Sequence, residues 1–297
     1  MARPINYLFC QYELEVEDEV QSSSAQFNMI AENQGGHFVH GREKDGVQPQ
    51  TLCTDPIKHS VDDTECHSFE IGYRPGIRIL QEYNEAERRK ISRIERDSHT
   101  KFGHVVTIPS LGAMAIRDRT SDDTIGATQT ISALKSLVRG IADGQGQINL
   151  THASEDDVSY ALEHWNVHEY AFTARPLNPT GGDLAKMRSQ MYEDENIYQE
   201  NGKVKAAPGE SLKVANGTLG QTMDLYKGGY AQVGFRGQTE DGHAANLPKQ
   251  AFYQDKAKNL KVRESRPRFL RISFEREDAN DDKTLDVAQA LMRFYSR

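Results

Sequence analysis

The chain has 297 residues, enough for one large domain or two modest ones with cores that need no disulfide staple. Hydrophobic residues make up 37% and charged residues 27%, and the 12 Tyr and 11 Phe exclude a wholly disordered chain, which would be poor in aromatics. Asp and Glu number 44 against 36 Lys and Arg, a formal net charge of -8. That balance excludes a protein that coats nucleic acid along its whole surface, because such affinity comes from counterion release at phosphates and needs an excess of bases.

"INYLFCQYELEV" predicts an opening strand, rich in aromatic and branched residues and introduced by Pro4. Residues 21–68 are polar and weakly periodic and are expected to form a long excursion with little regular structure. "FEIGYRPGIRIL" predicts a short strand and a turn at Arg74-Pro75-Gly76, and "QEYNEAERRKISRIERDS" a helix charged nearly all round. "FGHVVTIPSLGAMAIRDRT" reads as a hairpin about Pro109-Ser110-Leu111-Gly112. "QTISALKSLVRGI" puts Ile131, Leu134, Val138 and Ile141 on one helical face, and "GQGQINLTH" turns into a strand. In "SEDDVSYALEHW", Ser154 and Asp157 have capping-box spacing, and Val158, Ala161, Leu162 and Trp165 form an apolar stripe. "NVHEYAFTARP" alternates, with Tyr170, Phe172 and Ala174 inward.

The order from residue 101 to 175 is β-β-α-β-α-β. Two apolar helix stripes need a sheet face to cover them, which predicts an α+β sandwich of ferredoxin-like kind. The expected division is a domain over 1–180, carrying the excursion at 21–68, and a β-rich section over 181–297. In the latter, "GDLAKMRSQMYEDE" reads as helix and "TMDLYKGGYAQVGFRGQTEDGH" as antiparallel strands with tight glycine turns. "RFLRISFE" is a strand, and a last helix carries Leu285, Ala288, Leu291, Met292 and Tyr295 as one stripe.

Cys10, Cys53 and Cys66 are an odd number at irregular spacing, not a disulfide framework. The opening "MARPINYLFCQYELEVEDE" has too short an apolar run for a signal peptide, and no stretch reaches the roughly 20 apolar residues of a membrane span. The expectation is a soluble protein of the cytoplasm with no membrane partner.

The stretch "KAKNLKVRESRPRFLR", Lys256 to Arg271, holds seven basic residues and one acid. Lys256, Lys258, Lys261, Arg263, Arg266 and Arg268, with Phe252 and Tyr253 nearby, suit phosphate contact and base stacking, or the carboxylates of an acidic protein. The plainer reading is a solvated connector whose charges guard a strand edge. Phe269 is expected inward.

His37, His40, Cys53, His59, Cys66 and His67 offer zinc-binding atoms, but no CxxC is present and the spacing fits no common finger. In "EHWNVHE", His164 and His168 are four apart, yet Asn166 marks a passage from helix to strand, so the rings are not expected on one face. Asp62, Asp63, Glu65 and His67, or Asp118, Asp122 and Asp123, could hold a hard cation such as magnesium for a nuclease, without a recognisable spacing. Neither "DGQGQINL" nor "KGGYAQVGFRG" completes a phosphate loop. No cofactor is expected, with zinc and magnesium the only candidates.

The run "DDVSYALEHWNVHEYAFTARPLNPTGGDL", then "LYKGGYAQVGFRGQTEDG", resembles a pattern in uncharacterised bacterial proteins of about this size, known as domains of unknown function. Some such families accompany phage-defence or mobile-element genes. The resemblance implies a place in a bacterial defence or host–virus conflict system and carries over no catalytic residue. The leading expectation is a non-catalytic component that binds nucleic acid or an acidic protein through 256–271. The alternatives are a metal-dependent nuclease and a structural subunit of a multi-protein complex.

Overall fold

The computed structural model describes residues 3–43, 46–84, 89–151, 155–174, 194–195, 200–214, 217–227, 231–251, 269–278 and 282–296. The fold is α+β, built on antiparallel sheet. The chain divides into two compact units, Met1–Thr151 with Glu275–Arg297, and His152–Phe274. This differs from a division at residue 180. The strand predicted at "NVHEYAFTARP" takes its sheet partners from later in the chain, and the C-terminal helix returns to the first unit.

The first unit opens with β1 (Ile5–Val16), the short β2 (Glu19–Val20) and α1 (Ser23–Glu32), whose Ser22 side chain caps the amide of Ala25. There follow β3 (Phe38–Val39), β4 (Gln50–Val61) and β5 (Thr64–Arg74). Residues 21–68 are therefore largely regular structure and not a loose excursion. Alternation in β4 is broken by a bulge between Thr54 and Ile57, where Asp55 takes φ 53° and Pro56 cannot donate to a ladder. That break hides the strand in the sequence.

β6 (Gly76–Asn84) and β7 (Arg89–Asp97) pair into a separate two-stranded ribbon, from Gly76↔Asp97 to Asn84↔Arg89. The expected helix is absent over these described residues. The ribbon forms because the branched residues Ile77, Ile79, Ile91 and Ile94 suit extended backbone, and Ile79 stands opposite Ile94 in the register.

β8 (Lys101–Ile108), a 3-10 turn (Pro109–Leu111) and β9 (Ala113–Arg117) form the predicted hairpin, closed by Gly112 at φ 56°. Then come α2 (Ala127–Ile141) and β10 (Gly146–Thr151). The sheet runs β1-β9-β8-β5-β4-β3. Gln11 faces both Ala113 and Thr151, so β9 and β10 flank β1 on opposite edges. α2 buries Thr130, Ala133, Leu134, Leu137 and Val138 against one sheet face. Cys10, Cys53 and Cys66 are free thiols, all fully buried in this unit.

The second unit holds α3 (Glu155–His164), β11 (Asn166–Ala174), β12 (Glu200–Lys205), α4 (Gly217–Lys227), β13 (Ala231–Gln238), β14 (Ala244–Ala251) and β15 (Leu270–Phe274), with the antiparallel order β12-β11-β13-β14-β15. Met223 and Leu225, expected in a strand, lie in α4. Both are buried, because this helix packs on β11 and β13 with Thr222 and Tyr226 also covered. The helix expected at "GDLAKMRSQMYEDE" lies, but for its last two residues, outside the described residues.

The last helix, α5 (Thr284–Tyr295), belongs to the first unit and covers the sheet beside β8 and β9 through Val287, Ala288, Leu291 and Phe294. Among the described residues, no helix is long and apolar enough to cross a membrane.

Candidate functional site

The second unit's sheet has two unlike faces. Strand alternation turns Tyr170, Phe172, Val233, Phe235, Leu247 and Ile272 inward, all at most 3% exposed. The opposite positions carry charge. Lys205, Glu169, Arg236, Asn246 and Arg271 stand opposite one another in five successive strands. With strands about 4.8 Å apart, that row is about 19 Å long. Lys203 flanks it on β12, and Lys203, Lys205 and Arg236 have side chains 53%, 70% and 65% exposed.

Glu169 is the acid at the centre. Its carboxylate is 2.9 Å from Lys203 Nζ and 3.9 Å from both Lys205 Nζ and the Arg236 guanidinium. The Lys203 hydrogen bond, helped by the charges of Lys203, Arg236 and Lys205, outweighs burial and holds the carboxyl below its ordinary range. One negative charge thus holds three positive ones in place and neutralises only one. Lys249, from β14, crosses the face and donates to the Phe172 carbonyl and the Thr173 hydroxyl, each at 3.0 Å. Gly234 makes room for it, since a Cβ there would collide with the Lys249 backbone.

The first unit holds a chain of hydrogen bonds under α5 that runs inward from the exposed Asp282. Asp282 Oδ1 accepts from the Thr284 hydroxyl at 2.6 Å. A carboxylate only accepts, so the Thr284 proton is committed and its oxygen must accept from His104 Nε2, 3.4 Å away. The Nε2 proton fixes the tautomer of the neutral ring. His104 Nδ1 then accepts from the Tyr7 hydroxyl at 2.8 Å. Burial, with the charge of Arg117, pushes the His104 pKa down to about 3, so the ring stays neutral, while burial pushes the Tyr7 hydroxyl up. Beside this chain Arg117 donates to Glu70 at 3.2 Å. Burial raises the Glu70 carboxyl more than Arg117 lowers it. Tyr7 and Thr284 are only 2% and 3% exposed, so neither presents itself to a ligand. The network ties α5 to β1 and β8.

A polar groove of about 690 Å³ lies at the base of the β6–β7 ribbon. Its cations Lys101 and Arg119 face Asp97, Asp122 and Asp123, and Arg119 is bound to Asp122 at 2.6 Å. It has no excess of positive charge to draw an anion. Among the described residues, the sheet face of the second unit does.

No family model and no curated protein matches this chain.

Lys256, Lys258, Lys261, Arg263, Arg266 and Arg268 lie outside the described residues, between β14 and β15. At the described end of that stretch Phe269 is buried, as expected; Leu270 is buried too and Arg271 is exposed. Asp62 and Asp63 form the two-residue turn between Val61 and Thr64, with φ 47° and 62°, which is a turn-former's task. Glu65 pairs with His67 at 2.8 Å and Lys58 at 3.7 Å. The other zinc candidates are scattered: His40 bonds Ser136, His59 bonds Ser68, and the Cys53 thiol donates to the Ile30 carbonyl. His164 ends α3 and bonds Glu240, while His168 lies in β11, so the two share no helical face. No group of three or more His, Cys, Asp or Glu suited to a metal occurs among the described residues.

Proposed function

We propose that this protein is a non-catalytic component that binds nucleic acid through the basic stretch 256–271. Seven bases against one acid, in a chain of net charge -8, carry the reading. Lys256, Lys258, Lys261, Arg263, Arg266 and Arg268 contact phosphates, with Arg271 at the root of the stretch. Phosphate contacts of this kind supply affinity and position without reading sequence. The outward turn of Arg271 between inward Leu270 and Ile272 supports it, since the same alternation separates ligand-facing positions from core.

The ferredoxin-like core in this reading uses other elements than the run expected over 101–175, whose α3 and β11 belong to the second unit: it takes β1, α1, β8, β9, α2 and β10, with β3 to β7 inserted between α1 and β8. The order β10-β1-β9-β8 and the placing of α2 between β9 and β10 support it.

Fluorescence anisotropy with labelled DNA and RNA tests the proposal. Binding falls steeply between about 50 and 200 mM salt, and Lys261→Glu with Arg263→Glu and Arg266→Glu abolishes it. Undiminished binding by that triple variant overturns the assignment. Retention of an acidic protein instead, with no nucleic acid bound, replaces it.

A further inference from the structure

We propose that the outward face of the β12-β11-β13-β14-β15 sheet is a second binding surface, one that lies along the phosphate backbone of a nucleic-acid duplex. This deepens the reading above and rests on it for the class of ligand. Among the described residues, the outward positions of these strands gather three bases, Lys203, Lys205 and Arg236, round one acid, Glu169, with Lys249 and Arg271 on the same face. In a protein with eight more acids than bases, such a surplus on one sheet face is a local reversal of sign, and it matches a polyanion.

The face also says which polyanion. Single strands are held chiefly by bases stacked on aromatic rings. No Phe, Tyr or Trp occupies an outward position of these five strands among the described residues; the aromatic residues Tyr170, Phe172, Phe235 and Phe274 all point into the core. What remains outward is cationic, amide-bearing or small: Asn201, Gln232, Asn246 and Ala171 fill the positions between the charges. Such a surface offers donors to phosphate oxygens and nothing to unstacked bases, the pattern of backbone recognition in a duplex. From Lys205 to Arg236 the row spans two strand spacings, about 10 Å, wide enough to follow several phosphates, given one per about 1.7 Å of duplex axis. Glu169 acts as a built-in competitor. It occupies Lys203, Lys205 and Arg236 when no phosphate is present and keeps the three cations on one spot.

The test uses the full chain with a labelled DNA duplex and one of its single strands, across a salt series. Two sets of variants are compared: Lys203→Gln with Lys205→Gln and Arg236→Gln on the sheet, and Lys261→Glu with Arg263→Glu and Arg266→Glu in the connector. The sheet variant should weaken duplex binding and flatten the dependence of log affinity on log salt by up to about 0.9 for each phosphate no longer neutralised. Glu169→Gln should bind the duplex several-fold more tightly, a gain that misfolding cannot produce. If the sheet variant binds as wild type while the connector variant does not, the sheet surface is overturned and the connector reading stands. If the connector variant keeps duplex binding and the sheet variant loses it, the sheet surface stands and the connector reading falls. Wild-type binding to the single strand but not to the duplex overturns the surface proposed here, as does unchanged affinity in Glu169→Gln. Displacement of the duplex by polyglutamate at equal charge concentration also overturns it, in favour of an acidic protein.

Discussion

Acidification should destabilise the first unit through His104, and the size of the effect follows from its burial. The ring is neutral in the folded protein, with a pKa pushed down to about 3 from an ordinary 6.5. In the unfolded chain the same ring takes up a proton as pH falls through 6.5. The stabilisation is therefore full above that value and drains away progressively as pH drops toward 3. Each pH unit in this window is worth about 1.4 kcal/mol, so acidification to pH 5 removes about 2 kcal/mol. Other groups titrate nearby. His40 and His67 are lowered by burial and act in the same sense, whereas Glu70 is raised by burial and acts in the opposite one. The comparison that isolates His104 is wild type against His104→Gln, which keeps a donor and an acceptor but no titrating ring. Urea unfolding followed by circular dichroism gives the stability of each at a series of pH values. The variant should be less stable at neutral pH yet lose about 2 kcal/mol less on going to pH 5. Parallel curves for the two proteins would refute the assignment of a buried, neutral His104.

Tyr7→Phe strips the donor from His104 Nδ1 and leaves a buried acceptor unpaired, at a cost of about 1–3 kcal/mol in urea unfolding. Combined with Thr284→Val it should be non-additive, because both substitutions cut one hydrogen-bonded chain. Asp63→Ala should lower the melting temperature through its positive φ, with Asp63→Gly restoring or raising it, and neither should alter any nucleic-acid cleavage. Gly103→Ala should destabilise by about 1–3 kcal/mol in thermal unfolding, because the added methyl meets Thr130 and Ile125 under α2.

Local patterning makes much of the fold readable. β1, the β8–β9 hairpin, α2, β10, α3 and β11 each announce themselves within a dozen or so residues, by alternation or by an apolar stripe. β4 does not, because the bulge at Asp55-Pro56 shifts its register midway. The ribbon β6–β7 is obscured by charges at helical spacing, and α4 by the chance alternation of Met223 and Leu225. The sites are less readable for a plainer reason. His104 meets partners 97 and 180 residues away, so no spacing along the chain signals it. Lys203 and Lys205 do alternate within "NGKVK", which marks them as one face of a strand. Their company with Arg236 and Arg271 depends on strand order, which sequence alone does not supply.

The three enclosed thiols give the first unit a chemical clock. Burial pushes Cys10 up to about 12 and Cys53 up to about 11, and raises Cys66 too, so almost none of the reactive thiolate exists near neutral pH while the fold is shut. An alkylating reagent can reach them only during transient openings. The rate of mass gain in the unaltered protein thus measures how often that unit breathes, with no engineered label.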